Sequence, residues 1–307
     1  MLRKFIRLAL LSQVRRNPID VISIYEAFSD LMNITTGGKL LNFGYWDDVD
    51  DNPLDAQIKL TKIIGEFGRF FNSKCILDVG SGYSIPALIW LNDHPTTKIL
   101  CVNLSYNQIV EGKIIPHQNH LSNLPFLRMD LISNYEDRIS YINSTSTFLA
   151  IKNSTMDRVV AFESAQHFRP LKEFINEARR ILVQFGMLVM AIPVLANKPS
   201  RKRSPWIEVR ELGILKITWA SEHYEMELIK SLLEGNGFEI DEIELIGSDV
   251  YQPLANYYTK NRNRLREMIL SRYPNYLELL VNWSMSKMKT ASEKGIIEYA
   301  LLRAVKK

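Results

Sequence analysis

An aspartate stands two residues before a glycine turn in the stretch Ile76-Leu77-Asp78-Val79-Gly80-Ser81-Gly82-Tyr83-Ser84. The apolar run before the turn reads as a buried strand, and the turn opens a helix. Glycine lets a backbone approach a ligand closely, and a helix N-terminus favours negative charge. A carboxylate at Asp78 suits a different ligand, because it can bind an ammonium group directly or through water. The dinucleotide pattern Gly-x-Gly-x-x-Gly needs its third glycine where Ile85 stands, so that fingerprint is incomplete. The plain alternative is that Asp78 caps the turn.

A second ionisable group lies in Phe162-Glu163-Ser164-Ala165-Gln166-His167. If Phe162 ends a strand, Glu163 sits at the carboxyl edge of a sheet, where ligands bind. The four-residue spacing puts Glu163 and His167 on one face only if a helix starts there. A histidine titrating near neutrality can take a proton from an attacking hydroxyl or amine. The structural alternatives are a capping or ion-paired Glu163 and a satisfied His167. His223 and Tyr224, at the start of a later helix, are further candidates for a substrate face.

The elements that must position these groups follow from periodicity. Residues 55–71 carry a helical pattern, 75–79 a strand, 84–91 a short helix, and 98–102 a second strand. A helix over 106–116, a third strand at Phe126–Met129 and a Ser/Thr/Asn-rich loop over 134–147 come next. Met156–Ala161 is the fourth strand and Pro170–Val183 a helix. Gly186 ends that unit, and Met187–Ile192 is the fifth strand. Strand and helix alternate, which is the mark of a parallel α/β sheet. A basic Pro-containing loop at 198–206, a helix over 220–234 and a strand over 238–246 lead to an aromatic-rich helical segment at 249–293. The final strand is Ile296–Ala304. The expected fold is a Rossmann-like, doubly wound, mostly parallel sheet of seven strands with helices on both faces. Residues 1–54 form a cap, 55–307 the main domain, and the segments 197–219 and 249–293 lids over a site. The lid aromatics, Tyr251, Tyr257, Tyr258, Tyr273, Tyr276 and Trp283, are either an apolar cover or ordinary core.

Composition narrows the function. Lys+Arg number 38 and Asp+Glu 34, so the net charge of +4 gives no mandate for a nucleic-acid partner. Two cysteines, Cys75 and Cys101, fit a reduced cytoplasm, and no Cys/His spacing suggests a metal site. No apolar stretch is long enough to cross a membrane. Residues 1–16 have the pattern of a basic amphipathic helix, with Leu2, Phe5, Ile6, Ala9 and Leu10 on one face. That helix either touches a membrane surface or packs on the domain.

Three further stretches, in order, carry a resemblance. Leu41-Asn-Phe-Gly-Tyr-Trp-Asp47 resembles a "GYWD" segment, Val102-Asn-Leu-Ser-Tyr-Asn-Gln108 a "(V/I)NLSxxQ" motif, and Phe162–His167 an "ESxxH" stretch. With the Asp78 turn, the chain resembles class I S-adenosylmethionine-dependent methyltransferases acting on small molecules. That group includes macrolide-sugar O-methyltransferases, tocopherol and sterol methyltransferases, and geranyl diphosphate C-methyltransferase. The resemblance implies S-adenosyl-L-methionine as cofactor. It implies that Asp78, Gly80, Ser81 and Gly82 hold the methionine part, that Asn103, with help from Gln108, binds the ribose, and that Leu104 packs on the adenine. It further implies that Asp130 meets the adenine amino group and that Tyr45 and Trp46 cover the cofactor. Asn103 stands where many relatives have an acid, and an amide can still bond two hydroxyls. Glu163 and His167 are the candidate catalytic groups, and no metal is required. The acceptor is a small, partly apolar organic molecule, methylated on oxygen, carbon or nitrogen. The Asp/Asn-Pro-Pro-Tyr/Phe segment of nucleobase amino-methylating enzymes is missing, and Ala191-Ile-Pro-Val194 after the fifth strand does not replace it. A nicotinamide-dependent oxidoreductase and a non-catalytic cofactor-binding scaffold remain the rival readings.

Overall fold

Side chains on the sheet strands alternate between two buried layers. On β1 (Cys75–Val79), Ile76 joins a core built with the helices Pro53–Phe67 (α1) and Ile85–Asp93 (α2), while Leu77 and Val79 point to the other core. Tyr106–Ile114 (α3) follows in the chain, and the second layer is closed by Leu171–Ile181 (α4) and Met226–Gly235 (α5). The period of two along a strand makes both faces apolar and puts helices on each. In this computed structural model the described residues are 29–36, 40–47, 52–115, 135–196, 215, 222 and 224–307.

The remaining strands are β2 (Lys98–Asn103), β3 (Ile139–Asn143), β4 (Met156–Phe162), β5 (Leu182–Leu195), β6 (Tyr224–Glu225), β7 (Phe238–Leu245) and β8 (Ile297–Lys306). The order across the sheet is β3-β2-β1-β4-β5-β8-β7, with the two-residue β6 beside β5. All pairs are parallel except those of β8, which runs antiparallel between β5 and β7. This is the doubly wound, mostly parallel sheet read from the sequence.

Several elements differ from the expectation. The segment read as a loop over 134–147 contains β3, the edge strand of the sheet. Its exposed positions are polar because one side of an edge strand meets water, and the Ser/Asn content conceals the alternation. The strand expected at Phe126–Met129 lies outside the described residues. Gly186 does not end a unit: β5 runs from Leu182, and its register against β4 shifts between Met156 and Arg158. Ala191–Val194 therefore lie inside β5, not after it. The helix expected over 220–234 begins at Met226, after β6.

Between β7 and β8 stand three helices, Gly247–Lys260 (α6), Arg262–Leu270 (α7) and Asn275–Glu293 (α8). Tyr251 and Tyr258 are fully buried core residues, whereas Trp283 is exposed. Residues 1–16, the loop 198–206, Asp130 and His223 lie outside the described residues, as does most of 197–219. Among the described residues no helix is long and apolar enough to cross a membrane, and no cluster of His, Cys, Asp and Glu could hold a metal ion.

Candidate active site

One cavity opens at the carboxyl ends of β1, β2, β3 and β4, where a doubly wound sheet binds its ligands. With its open mouth it holds about 1340 Å³. Asp78, at the end of β1, is 2% exposed, and no described residue donates a hydrogen bond to its carboxylate. Burial alone pushes this carboxyl up to about 7. A buried, unpartnered carboxylate is costly unless a cationic ligand completes it.

The turn after Asp78 is shaped by two left-handed glycines. Gly80 has φ +81°, and a Cβ there would lie 2.4 Å from Ser164 Cβ. Ser164 itself donates its hydroxyl to the Val79 carbonyl at 2.6 Å, so the "ESxxH" stretch is packed onto the glycine turn. Gly82 has φ +55°, but a Cβ there would meet nothing within 4 Å. That open side faces the cavity, which both Gly80 and Gly82 line together with Ser81. The N–H groups of Gly80 and Ser81 both donate to the Val102 carbonyl, at 2.7 and 3.1 Å. These two donors are consumed, which argues against a pyrophosphate cradle at this turn.

Asn103, Leu104 and Gln108 follow β2 and line the same cavity. Asn103 Nδ2 donates to Gln108 Oε1 at 2.8 Å and to the Ser105 carbonyl at 3.2 Å. Both bonds use the amide donor, so Oδ1 is the atom left to accept from a ligand hydroxyl. After β3, the turn Ser144–Thr147 also lines the cavity. Sequence reasoning missed it, because the third strand was placed at Phe126–Met129 and its ligand-facing residue at Asp130. The Ile139/Tyr141 alternation beside a Ser/Thr run was the available signal.

Glu163 and His167 are brought together on the cavity wall. Glu163 is the first residue beyond β4 and adopts φ +47°, a strained conformation for a side-chain-bearing residue. His167 closes the short 3-10 turn Ala165–His167 that follows. Oε1 of Glu163 accepts the Phe43 N–H at 3.0 Å and the Tyr299 hydroxyl at 2.8 Å. Burial pushes this carboxyl up to about 8, against the pull of those two bonds. Arg169, further along the rim, is ion-paired with Glu222.

Tyr45 and Trp46 do not line the cavity. Their neighbours Leu40, Leu41 and Asn42 do. Trp46 is held away from it by its indole N–H on the Phe43 carbonyl at 2.9 Å and by its ring against Tyr257 at 5.5 Å. Lys59 lies over the Tyr45 ring at 5.1 Å. Tyr224 bonds the Phe168 carbonyl at 2.8 Å, beside the cavity and not in it.

Residues 77–190 match a family model described as a methyltransferase domain. The chain carries an S-adenosylmethionine-dependent methyltransferase domain. Erythromycin 3''-O-methyltransferase of Saccharopolyspora erythraea is 25% identical over 239 residues, spanning 77% of this methyltransferase and 74% of that protein. A tRNA1(Val) (adenine(37)-N6)-methyltransferase of Flavobacterium johnsoniae is 28% identical over 180 residues, covering 57% and 75%. The cyclopropane synthase MmaA2 of Mycobacterium tuberculosis shares the fold, with a TM-score of 0.73 at 13% identity over 96% of this chain and all of that one. The residues of this methyltransferase fit the cofactor. The Asp78 carboxylate lacks a partner among the described residues, Gly82 leaves open space, and Asn103 offers an acceptor to a ribose hydroxyl.

Proposed function

We propose that this methyltransferase acts on a small, partly apolar organic acceptor, with Glu163 and His167 facing the reacting group. When bound, S-adenosylmethionine supplies an electrophilic methyl group on a sulfonium. Asp78 holds its ammonium group, the Gly80–Gly82 turn its methionine chain, and Asn103, fixed by Gln108, its ribose. Leu104 and the Ser144–Thr147 turn border the base. Positioning the nucleophile supplies much of the rate, so the protein need add only orientation and a proton acceptor.

The single observation that carries this reading is a cavity with two raised carboxyl groups, Asp78 and Glu163, in a largely apolar wall. Such a site favours a cationic ligand beside an uncharged, partly apolar one. The name of the protein's erythromycin-modifying relative supports a hydroxylated natural product as the first acceptor to try. A cytoplasmic location fits this chemistry.

Calorimetric titration with S-adenosylhomocysteine, run beside NAD, tests the reading. Micromolar binding of the first and none of the second is expected. Binding of NAD instead would overturn it, and cofactor binding without turnover on any hydroxylated, amine or activated-carbon acceptor would favour a scaffold.

A further inference from the structure

Glu163 accepts two hydrogen bonds, and both end on one oxygen. Oε1 takes the Phe43 N–H and the Tyr299 hydroxyl. Oε2 has no partner among the described residues and is not one of the sealed, unpartnered atoms of the interior. Glu163 lines the cavity, so Oε2 is the oxygen left open to it. The terminal torsion of a glutamate is broad and roughly two-fold, so nothing local chooses between its oxygens. Two donors converging on Oε1 make that choice.

Tyr299 is itself held firmly. It is fully buried on β8, with its ring edge-on to Phe43 at 6.4 Å and to Tyr251 at 6.0 Å. Phe43 meets Tyr251 in the same way at 5.7 Å. Three aromatic rings from three separate segments thus fix one hydroxyl against one carboxyl. Packing alone would be met by a phenylalanine at this position. The hydroxyl has its only described partner at Glu163.

We infer that Tyr299 is a positioning residue of the methyl-transfer reaction: with the Phe43 N–H it holds Oε1 of Glu163 and turns Oε2 toward the acceptor. This rests on the reading of Glu163 as a group that faces the acceptor. It adds a residue from β8, two strands away from β4, and a backbone donor from Phe43. The same bonds favour the ionised carboxylate against burial. The other ionisable groups around Glu163 are Tyr251 on α6, and Asp78, His167 and Arg169 on the cavity. None of them takes the place of Tyr299 at Oε1.

The test needs no acceptor. The full chain, bound to S-adenosylhomocysteine, is labelled at its glutamate carboxyl carbons and titrated by NMR, with Glu163→Gln assigning the resonance. In Tyr299→Phe the Glu163 midpoint should rise by about one pH unit, because a donor to the charged form is lost. Affinity for S-adenosylhomocysteine should stay within about two-fold, since Tyr299 does not line the cavity. An unchanged midpoint would make Tyr299 a packing residue and overturn the inference. Should the variant fail to fold, replacing every tyrosine by 3-fluorotyrosine, a stronger donor, must lower the midpoint, and no change there has the same meaning. Failure of the underlying reading looks different: Glu163→Gln would keep full methyl transfer, whatever the titration showed.

Discussion

Asn103 and Gln108 face each other amide to amide, with Nδ2 of the first donating to Oε1 of the second at 2.8 Å. The contact determines which end of Asn103 a ligand meets. Where a carboxylate would accept by charge, this chain accepts by a neutral carbonyl fixed in place. Asn103→Ala should therefore weaken S-adenosylhomocysteine binding by about 1 kcal/mol, a neutral hydrogen bond. Gln108→Leu should weaken it several-fold by freeing the Asn103 amide. Calorimetry on both variants checks this, and an unaffected Gln108→Leu would remove the orienting role.

Asp78→Asn separates binding from stability. A charge-assisted contact to the cofactor's ammonium group is lost, so affinity should fall by about 1.5–3 kcal/mol. The folded carboxyl titrates at about 7 against an ordinary value of 3.8. Its folded-state value is raised, so its stabilising contribution is full below pH 3.8 and is lost as pH climbs through 7. The ligand-free wild type should thus lose thermal stability relative to Asp78→Asn between pH 4 and pH 8, a window set by those two values. Thermal melts in that range, with and without S-adenosylhomocysteine, decide it. Equal melting curves at pH 8 would mean the carboxyl is not buried alone.

Gly80 and Gly82 should respond differently to alanine. Gly80→Ala drives a methyl group into Ser164 and forces a left-handed residue, so about 2–4 kcal/mol of stability should go. Gly82→Ala meets no atom of the described residues and should cost about 1–2 kcal/mol of backbone strain. Its larger effect should be on cofactor affinity, because the new methyl occupies ligand space. Chemical denaturation paired with calorimetry distinguishes the two.

His167→Ala should lower turnover at least ten-fold while cofactor affinity stays within two-fold, as expected of general-base assistance. Full activity would leave His167 as a structural residue of the turn after β4.

Arg303→Met tests a support far from the cavity. Arg303 is 3% exposed, bonds Asp241 at 2.5 Å and reaches the Phe67 carbonyl at the end of α1. Arg158 bonds the next carbonyl, of Gly68, at 2.7 Å. Two cations thus satisfy the negative end of that helix. Losing Arg303 should cost about 1–3 kcal/mol in urea denaturation and leave S-adenosylhomocysteine affinity unchanged.

The parts of the molecule that were readable in the sequence are those whose cause is local. The strand before Asp78, the left-handed glycines and the amphipathic helix Leu171–Ile181 all announce themselves within a dozen residues. Asn103 and Gln108 belong to this class, being five apart. The turn Ser144–Thr147 was not legible, because a polar edge strand and a loop have nearly the same composition. Tyr45 and Trp46, expected to cover the cofactor, stand apart from the cavity lining, Tyr45 beneath Lys59 and Trp46 buried against Tyr257. Tyr299 lies 136 residues from Glu163, and only the completed sheet makes them neighbours.

That separation has a consequence for how the protein is made. β5 ends at Leu195 and its antiparallel partner begins at Ile297, so more than a hundred residues are synthesised before the gap between β5 and β7 is filled. Until β8 arrives, an apolar strand edge stands open in the middle of the nascent sheet, available to any other extended chain. The strand that closes this edge is also the one that brings Tyr299 to Glu163. Protection from aggregation and completion of the reacting site are therefore one event in the maturation of the molecule.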